Sequence, residues 1–130
     1  EGVLAKGYAF DKLDEGQTGG VYLVPPATSR SLGTSAQAVF KPENEEGFCR
    51  RGIPRGGGAA REEAAYLIDR LGGSRVGVPV TARALVPSRA LAPEADAGST
   101  PTSPGAVQRF VADVAGTADE FGMPRSLEAA

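Results

Sequence analysis

Val39-Phe40-Lys41-Pro42, followed by Glu45-Glu46, decides how this sequence is read. Ala36-Gln37-Ala38-Val39-Phe40-Lys41 alternates loosely and reads as a strand, which places the Lys41 ammonium at the end of a buried run. A cation taken out of water needs an anion beside it. Three of the 14 basic residues are lysine and the other eleven are arginine, so lysine here is not a compositional default. A compact ammonium suits a single carboxylate or a phosphate oxygen. Lys41 is therefore read as a nucleotide-phosphate lysine, against the plainer alternative of a strand-end lysine that snorkels to solvent.

Upstream, Val21-Tyr22-Leu23-Val24 is a strand by β-branched and aromatic content, stopped by Pro25-Pro26. With the Lys41 strand it predicts an antiparallel hairpin with a long tip. A further short strand is expected within Val3 to Leu13. Between these lies Glu15-Gly16-Gln17-Thr18-Gly19-Gly20. Close approach of backbone N–H groups to phosphate requires residues without side chains, which Gly16, Gly19 and Gly20 supply. An ordinary hairpin turn reads the same way. Neither the Rossmann nor the Walker A pattern is present.

Downstream, 42–58 is a long loop rich in Gly, Arg and Glu. Ala59 to Leu71 is the strongest helix: Ala60, Ala64, Leu67, Ile68 and Leu71 fall at helical spacing, and Gly72-Gly73 ends it. That stripe is the expected core face. Glu62 lies roughly 160° from its centre on the helical wheel, on the side of Tyr66 and Asp69. It is either the acid that holds Lys41 or part of a solvated face, and periodicity alone favours solvent. Val76 to Val86 reads as one or two strands broken at Pro79, 90–105 as a variable or disordered loop, Ala106 to Val111 as a last strand, and 113–121 as a weak helix.

The 130 residues suffice for one domain with a core. Eighteen Gly and ten Pro predict long loops and modest helix content. A formal charge of −2 argues against a nucleic-acid binder driven by bulk charge. Arg50, Arg51, Arg55 and Arg61 form one candidate basic patch, of which Arg50, Arg51 and Arg55, in a glycine-rich loop, could meet anionic headgroups or merely solvate the loop. With no histidine, Ser-His-Asp and Cys-His chemistry within the chain is excluded. The single Cys49 gives neither an internal disulfide nor a thiolate zinc site, and a cytoplasmic setting is expected.

In this order the motifs resemble the phosphatidylinositol 3-/4-kinase superfamily, and most closely the type II phosphatidylinositol 4-kinases of the plant and algal gamma branch. The resemblance is carried by Gly19-Gly20-Val21-Tyr22, Phe40-Lys41-Pro42-Glu43-Asn44-Glu45-Glu46, the Arg61–Asp69 stretch, Val78-Pro79-Val80-Thr81 and Gln108-Arg109-Phe110-Val111. It implies an α+β fold: a kinase-like N-lobe with a twisted antiparallel sheet and one packed helix, spanning 1–130 and truncated before the C-lobe. It implies a lipid kinase that moves the γ-phosphate of ATP, with Mg²⁺, to the inositol ring of phosphatidylinositol at a membrane surface. Lys41 would contact the phosphates, Glu62 would anchor Lys41, and Gly16, Gly19 and Gly20 would cover the phosphates. Gln108, Phe110 and Val111 would line the adenine slot as the segment joining two lobes. The family's Asp-Arg-His-x-x-Asn catalytic loop and metal-binding Asp do not occur in the sequence. No catalytic or metal residue is thus assigned, and this piece alone is expected to be inactive. Glu1 is not an initiator methionine, and Leu127 to Ala130 reads as a helix just beginning, so a piece of a larger domain is expected. A protein kinase, or a pseudokinase serving as a nucleotide-binding interaction module, shares the same features. A non-enzymatic interaction domain with an incidental lysine and glycine turn stays open beside them.

Overall fold

A computed structural model describes residues 9–13, 19–25, 38–47, 51–93, 102–111 and 114. Within them the chain forms β1 (Asp11–Leu13), β2 (Val21–Val24), β3 (Ala38–Pro42), a 3₁₀ turn (Glu43–Glu45), helix α1 (Gly58–Leu71), β4 (Thr81–Pro87), a one-turn helix α2 (Ser88–Leu91) and β5 (Thr102–Arg109). The architecture is α+β. The five strands make one antiparallel sheet in the order β1-β2-β3-β5-β4. The expected hairpin is present, with Tyr22 opposite Phe40 and Leu23 opposite Val39.

Residues directly opposite one another in an antiparallel sheet share a face. Tyr22, Phe40, Val107, Val24 and Val86 fall on one face, where Phe10, Ala90 and Leu91 close over them. Phe40 is 0% exposed. Phe10 meets it edge-on, with ring centroids 6.3 Å apart at 69°, and the Phe10 N–H donates to the Ala90 carbonyl at 2.8 Å. Gly105 lies under the Phe40 ring, where a Cβ would come within 2.6 Å of Cζ. This face is the apolar core.

Lys41, Gln108, Thr81 and Arg83 fall on the opposite face, which α1 covers. Here the structure departs from the sequence-based expectation. The stripe Ala60, Ala64, Leu67, Ile68 and Leu71 points to solvent; Ile68 is 70% and Leu71 89% exposed. Ala59, Glu62, Glu63, Tyr66 and Asp69 turn inward instead. Polar ties fix that orientation. The Glu63 carboxylate accepts from Arg83 Nε at 2.9 Å. Asp69 accepts from the backbone N–H groups of Val76, Gly77 and Val78 at 2.9, 2.9 and 2.8 Å.

Three further expectations are corrected. The stretch 90–105 is not wholly a loop: α2 runs to Leu91 and β5 begins at Thr102. Pro104 fits in β5 because β3 ends at Pro42, opposite Gly105, so β5 there has β4 as its only named neighbour. At the other end, β5 stops at Arg109 and leaves Phe110 and Val111 outside the strand. The segment 76–80 is not a strand, since Asp69 occupies its donors and β4 starts at Thr81. The weak helix expected over 113–121 lies outside the described residues, apart from position 114.

Candidate nucleotide-binding cleft

Lys41 leaves β3 on the α1 side. Its Nζ donates to Glu62 Oε1 at 2.8 Å and to Gln108 Oε1 at 3.4 Å. The two side chains of the ion pair are 32% and 36% exposed, so both retain contact with water. The pair therefore adds little to folding, about 0–1 kcal/mol. It fixes the amine in place, and the third N–H donor of the ammonium has no partner among the described residues.

Beside the pair lies a cleft of about 390 Å³ lined by Gly19, Gly20, Val21, Lys41, Glu43, Glu46, Gly58, Arg61 and Glu62, among others. That volume falls within the roughly 300–1,000 Å³ of small-molecule sites. Gly19, Gly20 and Val21 line it together with residues from the first two turns of α1.

Gly19 has a second reason to be glycine. At φ +144 it forms an isolated bridge with Glu46, and a Cβ there would run into the Glu45 carbonyl. At Gly20 a Cβ would meet only the movable end of the Glu45 side chain. Close approach to the 3₁₀ turn thus demands glycine at Gly19, independently of any ligand. Gly16 lies outside the described residues.

Two acids that the sequence reading did not single out as site residues organise the cleft wall. Glu46 accepts from the Gly56 N–H at 2.7 Å and forms a short ion pair with Arg61 Nη2. Its carboxylate lies beside Gly58, at the start of α1, which has no side-chain cap of its own. A negative charge there suits the orphan N–H groups and the helix dipole. Glu45 accepts from the Tyr22 hydroxyl at 2.6 Å and faces Lys12 Nζ at 3.4 Å. Burial, helped by the Glu45 hydrogen bond and charge, pushes the Tyr22 hydroxyl up from 10.0 to about 12. At the far end of α1, the backbone N–H groups of residues 76–78, that of Val76 foremost, hold the Asp69 carboxyl below its usual range.

The structure thus brings Lys41, Glu62, Gly19 and Gly20 together at one cleft. The inward face of α1 decides the alternative that periodicity left open for Glu62. Gln108 touches Lys41 through its side chain from within β5. Phe110 and Val111 are exposed past the end of β5 and do not line this cleft. Thr81, also not singled out as a site residue, is buried and accepts from Gln108 Nε2 at 3.0 Å. Its signal in the sequence was a threonine two residues after Pro79. Arg51 is exposed, away from the cleft lining; Cys49 and Arg50 lie outside the described residues.

No family model, no curated protein and no solved structure matches this chain. Among the described residues no helix is long and apolar enough to cross a membrane, and no group of acids or cysteine could hold a metal ion.

Proposed function

We propose that this chain is the ATP-binding lobe of a kinase of the phosphatidylinositol 3-/4-kinase type, which in the full-length protein moves the γ-phosphate of ATP to the inositol ring of phosphatidylinositol. The observation that carries this reading is the Lys41 amine held 2.8 Å from Glu62 on the wall of a cleft edged by Gly19 and Gly20. Its chemistry suits a polyphosphate. Glu62 orients the ammonium, and the third N–H of Lys41, which has no partner among the described residues, suits a phosphate oxygen. Arg61 adds a second cation to the lining, tied back by Glu46. Fixed donors of this kind stabilise charge without reorganising during transfer. Mg²⁺ would neutralise phosphate charge in such a reaction; no described group of residues fits it, so no ligand for it is assigned here. The adenine-slot role of Phe110 and Val111 stays part of the proposal as a surface beyond β5, separate from the phosphate end.

Calorimetric titration of the chain with ATP tests the reading. Binding is expected, and Lys41→Met should weaken it about ten- to a hundredfold, the equivalent of one charge-assisted hydrogen bond. Absence of binding, or a Lys41→Met variant that binds as the parent does, overturns it. Phosphate transfer by the full-length protein to phosphatidylinositol vesicles, run beside protein substrates, distinguishes a lipid kinase from a protein kinase. Nucleotide binding with transfer to neither marks a pseudokinase module.

A further inference from the structure

We infer that Thr81 and Gln108 form a positioning relay that aims the Lys41 amine. The hydrogen bonds run in one direction. The Thr81 hydroxyl donates its single proton to the Pro79 carbonyl at 2.8 Å. Toward Gln108 it can then only accept, so it takes Nε2–H at 3.0 Å. That fixes which way round the Gln108 amide sits, and its carbonyl oxygen is left facing Lys41 Nζ at 3.4 Å. Lys41 is consequently held from two sides, by Glu62 on α1 and by Gln108 on β5. With two of its three donors taken, the third has a defined direction.

The burial pattern agrees with a built device. Thr81 is 3% exposed and heads β4, opposite Gln108 in the β4–β5 ladder, while Val39 lies opposite Gln108 on the other side. The Arg109 N–H donates to the Val80 carbonyl at 2.8 Å and pins the same corner of the sheet. A buried hydroxyl whose donor and acceptor are both used costs little, whereas removing it leaves the Gln108 NH₂ without the partner that anchors the amide. Without that anchor the carbonyl oxygen is no longer held at one position beside Lys41, and one of the two holds on the amine slackens. The relay is a property of the side chains themselves; its consequence for nucleotide affinity rests on the kinase-lobe reading above.

The test reads Lys41 directly and needs no nucleotide. The chain is treated with limiting acetic anhydride, and acetylation of Lys41 relative to Lys12 is measured by peptide mass spectrometry. Thr81→Val keeps the shape and removes the hydroxyl, and should raise the Lys41:Lys12 ratio about threefold. Gln108→Leu should do the same, and Thr81→Ser, which restores the hydroxyl, should return the parent ratio. Unchanged ratios in the Val and Leu variants overturn the relay, as does a Thr81→Ser variant that behaves like Thr81→Val. Should Thr81→Val not fold, Gln108→Leu decides alone. If the parent chain binds ATP, Thr81→Val should weaken that binding about three- to tenfold yet have no effect when Lys41 is already Met. An equal loss in both backgrounds overturns the relay. A parent chain that binds no ATP removes the nucleotide-lobe reading while the acetylation ratios still decide the relay.

Discussion

Phe40 and Lys41 are neighbours in β3 and face opposite sides of one sheet. On the Phe40 side the sheet is covered by Phe10, Ala90 and Leu91, and contact is mainly apolar. On the Lys41 side it is covered by α1, and the named contacts are ion pairs and hydrogen bonds: Lys41–Glu62, Arg83–Glu63 and Gln108–Thr81. Apolar burial contributes roughly 25 cal/mol per Å² without regard to direction, whereas half-exposed ion pairs contribute little energy but strict geometry. One face therefore supplies stability and the other supplies placement. A cleft that must hold an amine at a set angle belongs on the second face.

The largest effect expected from this division is on the apolar side. Phe40→Ala removes the most buried large side chain of the core and leaves a cavity against Phe10 and Gly105. Losses for such changes are about 3–5 kcal/mol, a large share of a small domain's stability. Chemical denaturation measures it. A Phe40→Ala chain within about 1 kcal/mol of the parent breaks the comparison, because the core would then lie elsewhere.

Smaller effects are expected from the carboxylate that docks the end of α1. Asp69 sits in the last turn, where the helix dipole disfavours an acid, and is compensated by three backbone N–H groups. Its folded pKa is lowered, so its contribution is present above the unfolded value near 3.8 and is lost as pH falls through the folded value. Asp69→Asn keeps one acceptor oxygen and turns an NH₂ toward the remaining donors. The variant should be less stable at neutral pH, and its gap to the parent should narrow on acidification below about pH 4. A gap that persists unchanged at low pH breaks the assignment.

Tyr22 bridges the two regimes, with its ring in the core and its hydroxyl on Glu45. Here the folded pKa is raised, from 10.0 to about 12, so the contribution is fully present below pH 10 and disappears as pH rises through 12. Tyr22→Phe retains the ring and removes the hydrogen bond, at a cost of about 1 kcal/mol at neutral pH. Stability measured between pH 9 and about 11 should show the parent converging on the variant. Parallel curves in that window would mean that the hydroxyl does not hold Glu45.

These contrasts explain what the sequence revealed. Strands rich in β-branched and aromatic residues, such as Val21 to Val24, were legible because composition and burial agree there. So was Lys41, because a charge at the end of an apolar run requires an explanation. The start of β5 was hidden: Thr102-Ser103-Pro104-Gly105 has loop composition, and only its pairing with Pro87-Val86-Leu85-Ala84 makes it a strand. Thr81 and Gln108 meet across 27 positions, a pairing that no local pattern encodes. Phe110 and Val111, grouped with Gln108 by sequence, part from it where β5 ends.

The helix is where periodicity misled, and it yields the smallest predicted effect. A hydrophobic stripe predicts the buried face only when apolar transfer decides the packing. In α1, Glu62, Glu63 and Asp69 each find a specific partner on the sheet side, and turning the helix over would leave Lys41, Arg83 and the N–H groups of residues 76–78 without those partners. The two half-exposed ion pairs supply direction rather than energy, and the three backbone N–H groups that Asp69 satisfies weigh against turning the helix over. Ile68, 70% exposed, has little burial to lose, and glutamate has at least as high an intrinsic helix propensity. Ile68→Glu should therefore change stability by less than about 0.5 kcal/mol and leave ATP titration as in the parent. A loss of about 2 kcal/mol or more would put the stripe back in the core, turn Glu62 away from Lys41, and remove the geometry on which the cleft depends.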